Sequence, residues 1–347
     1  MVKTLKVKKE HAEAARLFLI EKGWLDKSRV VGRSAQRYVI LALNPDFKAS
    51  ILTKKFAGSK IEEKNISKLP PIPGDLKDLL KDFLPEKYLE RVIKSYDTIG
   101  DIVVLEIPKN LERYELQIAH ALKRANPYIK TVVRKAGKIS DEFRIRPLKH
   151  LTGEKKTETL HKEIGVLLHV DLAKAYFSPR SSNERLRIAR LVKPGEDVLV
   201  MFAGIGVYPL VITKFQQNCH IWAIEKNPEA VKLMEENIRA NRAGHLVFAV
   251  KGDVKDKMPE LGLYYDRIVM PFPEQAFKFL DLAFRYIKPG GTVHYYTFLH
   301  EDKVEEHIEA VKKVAQKLGK KVKIENWKKA GSFAPRVWRT VFDIKVS

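Results

Sequence analysis

Two glycines and two acidic residues follow apolar segments at the spacing expected of a nucleoside-binding site. The segment VLVMFAGIG ends in a turn that contains Gly204 and Gly206. Glu225 ends the next apolar segment, IWAIE, roughly 20 residues after Gly204, where a ribose-binding acid is expected. Asp253 ends a third segment, VFAVKGD, and a fourth, DRIVMPFP, breaks at prolines. Because strand ends on one edge of a parallel sheet form the ligand crevice, this pattern predicts an adenosine ligand, with Glu225 on the ribose and Asp253 near the adenine.

The sequence of the glycine turn favours some classes of adenosine ligand over others. Nicotinamide cofactors and S-adenosylmethionine both suit a glycine turn followed by strand-end acids. Here Gly206 is followed by Val207, Tyr208 and Pro209 rather than by two residues and a third glycine. A dinucleotide fingerprint needs that third glycine for helix packing beneath a pyrophosphate, whereas S-adenosylmethionine carries no phosphate. No Walker-type lysine follows, which argues against a nucleoside triphosphate.

A cluster of arginines, aromatic residues and one acid lies upstream of the turn, in FRIRPL (143–148) and YFSPRSSNER (176–185). One interpretation is a basic face that contacts nucleic acid, with Glu184 as a first-turn acid that is favourable at the helix dipole. The other makes Glu184 a general base and an arginine the group that stabilises developing negative charge. The residues alone leave both interpretations open.

The elements that must position these residues follow from hydrophobic periodicity. Alternating strand and helix patterns predict an α/β fold, a doubly wound Rossmann-type parallel sheet with an antiparallel edge, over 171–347. Two smaller α+β modules are predicted before it, over 1–62 and 75–170. The segment 61–75 contains three prolines and a glycine and is predicted to be a linker.

The charge balance predicts a polyanionic partner. The chain carries 65 Lys and Arg against 43 Asp and Glu, for a net charge of +22 and a pI of about 9.7. Such a balance is most often that of a nucleic-acid-binding protein. A charge-rich surface of a heat-adapted protein is the alternative, but it explains many charges and not an excess of one sign.

Other composition features bound the class of protein. Cys219 is the sole cysteine, so no intramolecular disulfide is possible, which suits the reducing cytoplasm. The apolar runs are strand-sized and the N-terminus MVKTLKVKKEH has no apolar core, so neither a membrane span nor a signal peptide is expected. His150, His161 and His169 lack metal-ligand spacing, and no metal site is predicted.

Taken together, several stretches resemble the archaeal and eukaryal tRNA (guanine-N1)-methyltransferase family, which modifies guanine 37 beside the anticodon. The matching stretches occur in the family's order over about two thirds of the chain: EFRIRPLKHLTGE, HVDLAKAYFSPRSSNER, MFAGIG, AIEKNPEAV with NIRAN, GDV, DRIVMPFP and GGTVHYYTF. The combination is specific to the family, although no single stretch is.

The resemblance implies an enzyme that transfers a methyl group from S-adenosylmethionine to N1 of that guanine. Glu184 corresponds to the family's general base, and Arg144 to the arginine that binds guanine O6. Tyr176 and Pro273 are implied to line the pocket of the target base. The implied cofactor-binding positions are Arg185, Phe202, Gly204, Gly206, Glu225, Lys226, Asp253, Val254 and Pro271.

The resemblance also implies a binding partner, an oligomeric state and a cellular location. The partner is tRNA, with the module 1–62 contacting its outer corner and 75–170 forming a second RNA-binding module ahead of the methyltransferase domain. A cytoplasmic monomer is expected.

Two positions depart from the family pattern: Val200 stands where an acid is usual, and Pro271 where an asparagine is usual. Two alternatives stay open, the second of them because of these departures. One is a wyosine-pathway transferase that acts on the same guanine by carbon methylation or aminocarboxypropyl transfer. The other is a non-catalytic RNA-binding protein that retains a degenerate methyltransferase fold.

Overall fold

The computed structural model describes residues 1–26, 29, 31–34, 37–67, 76–81, 84–89, 96–137 and 142–347. The chain divides into two units, which are called here the N-terminal unit (Met1–Leu79 with Arg124–Asn126) and the C-terminal unit (Leu80–Lys123 with Pro127–Ser347). Most of the predicted module 75–170 thus falls in the same unit as 171–347. The predicted boundaries at 62, 75 and 170 stay predictions.

The N-terminal unit contains a small antiparallel sheet with helices packed against it. Its strands are β1 (Val2–Lys8), β2 (Gly32–Ser34), β3 (Tyr38–Ala42) and β4 (Lys60–Lys64), in the order β2-β3-β1-β4, and the helices that pack against them are α1 (Ala12–Glu21) and α2 (Ala49–Lys55). Alternate strand residues and one stripe of each helix meet in a core of Leu5, Leu19, Leu41 and Leu52.

The prediction of a linker over 61–75 is wrong at its start. Ile61 lies in β4, where it pairs with Leu5 of β1 and packs against the core of the N-terminal unit. The pairing partner is distant in sequence, so the local charge of IEEK conceals the strand. The proline-rich remainder, 68–75, lies outside the described residues.

The C-terminal unit begins with two smaller sheets. The first has the order β5-β6-β7-β8, and the second is the hairpin β9–β10. Their strands are β5 (Tyr96–Ile99), β6 (Ile102–Leu105), β7 (Thr131–Lys135), β8 (Leu148–Gly153), β9 (Glu158–Glu163) and β10 (Val166–Asp171), and α4 (Glu115–Ala125) lies between β6 and β7 in the chain. The short helix α3 (Leu76–Leu80) precedes them, and all of it except Leu80 belongs to the N-terminal unit.

The large sheet confirms the predicted doubly wound fold. Its order is β13-β12-β11-β14-β15-β17-β16; the strands from β13 to β15 are parallel, and β17 pairs antiparallel with both β15 and β16. The strands are β11 (Glu196–Met201), β12 (Cys219–Glu225), β13 (Val247–Lys251), β14 (Tyr265–Met270), β15 (Ile287–His300), β16 (Val322–Ala334) and β17 (Val337–Val346).

Helices cover both faces of this sheet. They are α5 (Ser182–Leu191), α6 (Val207–Phe215), α7 (Pro228–Ala240), α8 (Val254–Leu261), α9 (Leu280–Tyr286) and α10 (Val304–Lys317). In β11, Val198 and Val200 belong to the core shared with α5–α7, whereas Leu199 and Met201 belong to the core shared with α8–α10. A strand buried on both faces reads as a continuous apolar run, which is why 198–201 contains no polar residue. Among the described helices, none has the length and apolar character that a bilayer crossing requires.

Candidate active site

The glycine turn after β11 is braced by the acid at the end of β12. The Gly204 amide donates to Oε2 of Glu225 at 2.8 Å, and the Asn227 amide donates to Oε1 of the same carboxylate at 2.8 Å. Burial raises the pKa of the Glu225 carboxyl, and these backbone hydrogen bonds oppose the rise. Glu225 therefore holds the turn as well as facing the crevice.

Gly206 has a packing role in this turn. Its φ of 84° lies in the left-handed region, and a Cβ there would stand 2.8 Å from Cγ of Met234 in α7. Any other residue would push the turn off the helix or force Met234 to move. The structure thus places Gly206 behind the crevice, and it is not among the residues that line the cavities described below.

A cavity at the carboxyl ends of β11–β14, named here the cofactor cavity, collects most of the predicted cofactor-binding residues. Those that line it are Phe202, Gly204, Glu225, Lys226, Asp253, Val254 and Pro271. Ile224 and Phe279 add apolar walls. An apolar slot with carboxylates at its rim is what an adenosine needs, because its ribose hydroxyls donate and its ring stacks or packs. The residues present fit S-adenosylmethionine.

The acid after β13 has two roles in the cofactor cavity. The Asp253 side chain caps α8, accepting from the Lys255 amide at 3.0 Å, and it pairs with Lys226 at 3.2 Å. Burial raises the pKa of the Asp253 carboxyl, but these contacts lower it below its usual value. Asp253 is therefore an ionised acceptor beside the apolar slot.

Arg144 lies at the mouth of the cofactor cavity. Its guanidinium carbon is 4.7 Å from the centre of the Tyr176 ring and 5.7 Å from that of Phe272, and Nη2 donates to Glu274 at 2.9 Å. Its Nε is buried and has no hydrogen-bond partner among the described residues, and its backbone φ is 61°, which is unusual for a residue other than glycine. A strained backbone and a donor left without an acceptor are features typical of functional positions.

A second, smaller cavity opens on the same glycine turn and is named here the substrate cavity. It shares Arg144, Tyr176, Phe202, Gly204 and Pro271 with the cofactor cavity. Its other lining residues include Arg185, Pro273, Tyr208 and Tyr296. The structure thus brings the three predicted substrate-binding residues, Arg144, Tyr176 and Pro273, to one place.

Glu184 is buried, at 4% exposure, and lies behind this cavity. It is not among the residues that line the described cavities. The hydroxyl of Tyr296, which does line the substrate cavity, donates to Oε1 of Glu184 at 2.8 Å. Arg144 therefore reaches the substrate cavity directly, and Glu184 reaches it through Tyr296.

Two cations also hold the Glu184 carboxylate. Arg187 donates to Oε1 at 2.7 Å, and Nζ of Lys328 lies 2.9 Å from Oε2. Burial alone would raise the pKa of the Glu184 carboxyl, but hydrogen bonds from Arg187, Lys328 and Tyr296 lower it below its usual value. Burial, and then the neighbouring Tyr208 and Glu184, raise the pKa of Tyr296, so its hydroxyl stays protonated and donates.

Arg187 is shared with a second buried carboxylate. Its Nη1 donates to Asp343 at 2.7 Å, and Nδ1 of the fully buried His294 lies 2.6 Å from the same side chain. Nε2 of His294 faces Arg267 at 2.6 Å; because arginine can only donate, that nitrogen accepts and Nδ1 donates to Asp343. This chain of contacts fixes the position of Arg187 and, through it, of Glu184.

Sequence reasoning missed Tyr208, Tyr296, Arg187, Lys328 and Asp343. The one available signal was the alternation in HYYTF, where His294 and Tyr296 share one face of a strand. Which of the other side chains meet near Glu184 depends on strand register, because His294 pairs with Asp343 while Tyr296 and Lys328 both pair with Val341.

Arg185 lies in the substrate cavity rather than the cofactor cavity. It is buried and donates to both oxygens of Glu163, at 2.6 and 2.5 Å, and to the Ser178 carbonyl at 3.0 Å. Its charge is therefore balanced by Glu163, and its geometry suits holding the segment before α5. Val200, where the family resemblance predicts an acid, is fully buried in the core.

Models of two families match adjacent parts of the chain. Residues 159–325 match the TRM5/TYW2 methyltransferase domain, and residues 76–157 match the TYW2 N-terminal domain. The first of these ranges contains the cofactor cavity except for Glu142, Phe143 and Arg144, which the second range contributes.

The chain is similar along its whole length to known tRNA-modifying enzymes. The tRNA (guanine(37)-N(1))-methyltransferase Trm5b of Pyrococcus abyssi is 33% identical over 348 residues, which is 100% of both chains. The crystal structure of Trm5b from Pyrococcus abyssi matches with a TM-score of 0.71 at 32% identity over 100% of both chains. A complex of aTrm5 with tRNALeu matches with a TM-score of 0.70 at 30% identity over 99% of both chains.

A second kind of relative covers less of the chain. The tRNA(Phe) (4-demethylwyosine(37)-C(7)) aminocarboxypropyltransferase of Methanocaldococcus jannaschii is 35% identical over 252 residues, which is 72% of this chain and 97% of that protein.

Proposed function

The chain belongs to the TRM5/TYW2 methyltransferase family, and we propose that it transfers the methyl group of S-adenosylmethionine to N1 of guanine 37 in tRNA. One observation carries the proposal. An adenosine-sized slot with acid acceptors opens into a substrate cavity lined by Arg144, whose Nε has no partner in the described part of the chain, and by a tyrosine whose hydroxyl donates to the buried Glu184.

The chemistry requires a proton to leave guanine before a bond forms. N1 of guanine carries a proton and is a poor nucleophile until that proton is removed. Glu184 is ionised and takes up the proton, with Tyr296 able to accept it from N1 while passing its own proton to the carboxylate. Arg144 donates to O6, where negative charge grows as N1 is deprotonated. S-adenosylmethionine, when bound, supplies the electrophilic methyl group.

The target base must leave its stack to reach this place. Tyr176 is 49% exposed and its ring lies against Arg144, so its other face is available to an incoming base. Pro273 lines the same small cavity. Holding the base in this cavity keeps N1 in line with the methyl group. Orienting the two reactants in advance lowers the entropic part of the activation barrier.

The direct test is transfer of labelled methyl from S-adenosylmethionine to a tRNA transcript with guanine at position 37. A transcript with adenine at that position is the control and should accept none. Transfer to another nucleotide, or none to either transcript, would contradict the proposed function.

A second candidate is wyosine-pathway chemistry on the same nucleotide. It is favoured by the match of residues 76–157 to the TYW2 N-terminal domain and by the aminocarboxypropyltransferase relative. Mass spectrometry of the product separates a methyl from an aminocarboxypropyl group. Recognition of the tRNA outer corner by residues 1–62, a monomeric state and a cytoplasmic location remain predictions of the sequence.

Replacing Glu225 by glutamine is expected to weaken S-adenosylmethionine binding by about 10- to 100-fold, the effect of losing a hydrogen bond to a charged group. Glutamine offers one acceptor oxygen where the carboxylate offers two, so either the Gly204 amide or the Asn227 amide loses its partner and the turn that lines the cofactor cavity loses one of its supports. Calorimetric titration measures the change. Glu229→Gln, which alters an acid paired with Lys232 on the surface of α7, is the matched control and should bind as wild type does.

Replacing Lys328 by methionine is expected to move the acid limb of the single-turnover rate to higher pH. The groups that face the Glu184 carboxylate are Arg187, Lys328 and Tyr296, and each lowers its pKa. Removing one of them raises that pKa, so the base becomes protonated at a higher pH. The measurement is the rate of methyl transfer as a function of pH.

The neighbouring lysine supplies the control for this shift. Lys329 is exposed to the same extent as Lys328, 40% against 39%, but pairs with Glu301 at 2.9 Å and lies over Trp338. Lys329→Met removes an equal charge and should leave the acid limb in place. Equal shifts in both variants would mean that overall charge, and not contact with Glu184, sets the pKa.

A further inference from the structure

A groove beside the substrate cavity carries aromatic and cationic side chains that the proposed reaction does not use. It has a volume of about 580 Å³ and is named here the basic groove. Tyr176, Phe298 and Arg339 line both the groove and the substrate cavity, so the two are continuous. When a target base occupies the substrate cavity, the neighbouring nucleotides of the same RNA strand can therefore lie along this groove.

Phe333 gives the groove a flat apolar face. Its side chain is 58% exposed, and its ring stacks on Phe298 with centroids 3.9 Å apart and planes 24° apart. A large aromatic ring left in water but supported from behind by another ring is a rigid platform rather than a piece of core. Platforms of this kind bind nucleic-acid bases, because every base has a π-face.

The charges around the platform favour an anionic ligand. The cations are Lys135, Arg144, Arg146, Arg180 and Arg339, and the acids are Asp97, Glu106 and Glu274. The acids are engaged with these cations: Arg180 pairs with Asp97 at 2.7 Å, Lys135 with Glu106 at 3.1 Å, and Arg144 with Glu274 at 2.9 Å. The lining is therefore net positive.

Arg339 is the cation whose charge is left without a carboxylate among the described residues. It donates to the Ser181 hydroxyl at 2.6 Å and to the Ala330 carbonyl at 2.5 Å, and both acceptors are neutral. Within the described ranges its buried Nε has no hydrogen-bond partner. A guanidinium held by neutral acceptors keeps its full charge for a phosphate.

We infer that the basic groove binds the nucleotide next to the target guanine, with Phe333 stacking on its base and Arg339 facing its phosphate. The inference rests on the proposed function, since it takes the substrate to be RNA with one base extruded. Extrusion deprives the flanking base of its stacking partner, and the phenylalanine ring replaces it. The structure thus assigns Phe333 a part in substrate recognition and none in the chemical step.

Replacing Phe333 by alanine should weaken tRNA binding about tenfold, as loss of one base–aromatic stack does. Phe333→Trp, which restores a ring, should restore binding. Tyr264→Ala is the matched control: Tyr264 is 56% exposed and rests on Tyr286 at 5.8 Å, but it precedes β14 at the opposite end of the strand from the cavities. S-adenosylmethionine affinity and thermal melting report on the fold of each variant and should match wild type.

A tRNA that lacks one base next to guanine 37 tests whether Phe333 contacts that base. Removing the base on one side of guanine 37 should weaken binding to wild type by a similar factor and should add nothing in Phe333→Ala. The inference is overturned if Phe333→Ala binds intact tRNA as tightly as Tyr264→Ala does. It is also overturned if, for the base on each side of guanine 37 in turn, removal weakens tRNA binding by the same factor in Phe333→Ala as in wild type.

The proposed function and the role of Phe333 can be disproved independently of each other. Methyl transfer by wild type to guanine 37 decides the proposed function, whereas the binding measurements decide the part played by Phe333. Wild type that methylates guanine 37 while Phe333→Ala binds normally would leave the function standing and remove the inference.

Discussion

Replacing Glu184 by glutamine is expected to slow methyl transfer to guanine 37 by about 10²- to 10⁴-fold, the contribution of a positioned general base. Glutamine keeps the size of the side chain and an oxygen that accepts from Tyr296, but it does not take up a proton. Arg187 keeps its second partner, Asp343, so the surrounding contacts persist. The quantity to measure is the single-turnover rate. The affinity for S-adenosylmethionine should be unchanged, because Glu184 does not line the cofactor cavity.

Glu301 offers the control for the loss of an acid. It accepts from Lys329, Arg336 and Trp338, which lower its pKa to about 2, and it lies outside the described cavities. Glu301→Gln should react at the wild-type rate. A wild-type rate in Glu184→Gln would remove the proposed base, and equal slowing in both variants would point to a general loss of negative charge instead.

Replacing Arg144 by lysine is expected to lower the same rate by about 10²- to 10³-fold, as loss of one donor to a developing oxyanion does. Lysine retains the positive charge and the Cβ, so the left-handed backbone at φ 61° is strained to a similar degree. It loses the planar fork that rests on Tyr176 and the buried Nε that has no partner in the described structure. A charge alone does not reproduce donors aimed at O6.

Arg190 tests whether any arginine resting on an aromatic ring matters in this way. Its guanidinium lies 5.9 Å from the ring centre of Phe215, away from the cavities. Arg190→Lys should leave the rate and both affinities unchanged. If Arg144→Lys loses affinity for tRNA but keeps the single-turnover rate, Arg144 binds the substrate without stabilising the charge on O6.

The predicted linker and Arg185 show why parts of the sequence analysis were incomplete. Ile61 falls in the predicted linker because three prolines and a glycine lie within 61–75, yet it pairs with Leu5 more than fifty residues earlier. For Arg185 the cofactor role stays a prediction, and the structure adds that Glu163 from β9 balances its charge. In both cases the partner comes from a distant element, and nothing in the local pattern names it.

The adenosine half of the site was accessible from the chain alone. Apolar runs, glycines with left-handed backbones and strand-end acids are local features, and the rule that parallel strands end on one edge brings Gly204, Glu225 and Asp253 together without further information. The environment of Glu184 was not accessible. Tyr296, Lys328 and Asp343 reach it or its partner Arg187 from three neighbouring strands, and antiparallel register, a long-range property set by the packing of the whole sheet, decides which side chains meet there. Glu184 as the general base is thus what the family resemblance implies, while the protonation state of its carboxyl and its access to substrate depend on tertiary contacts.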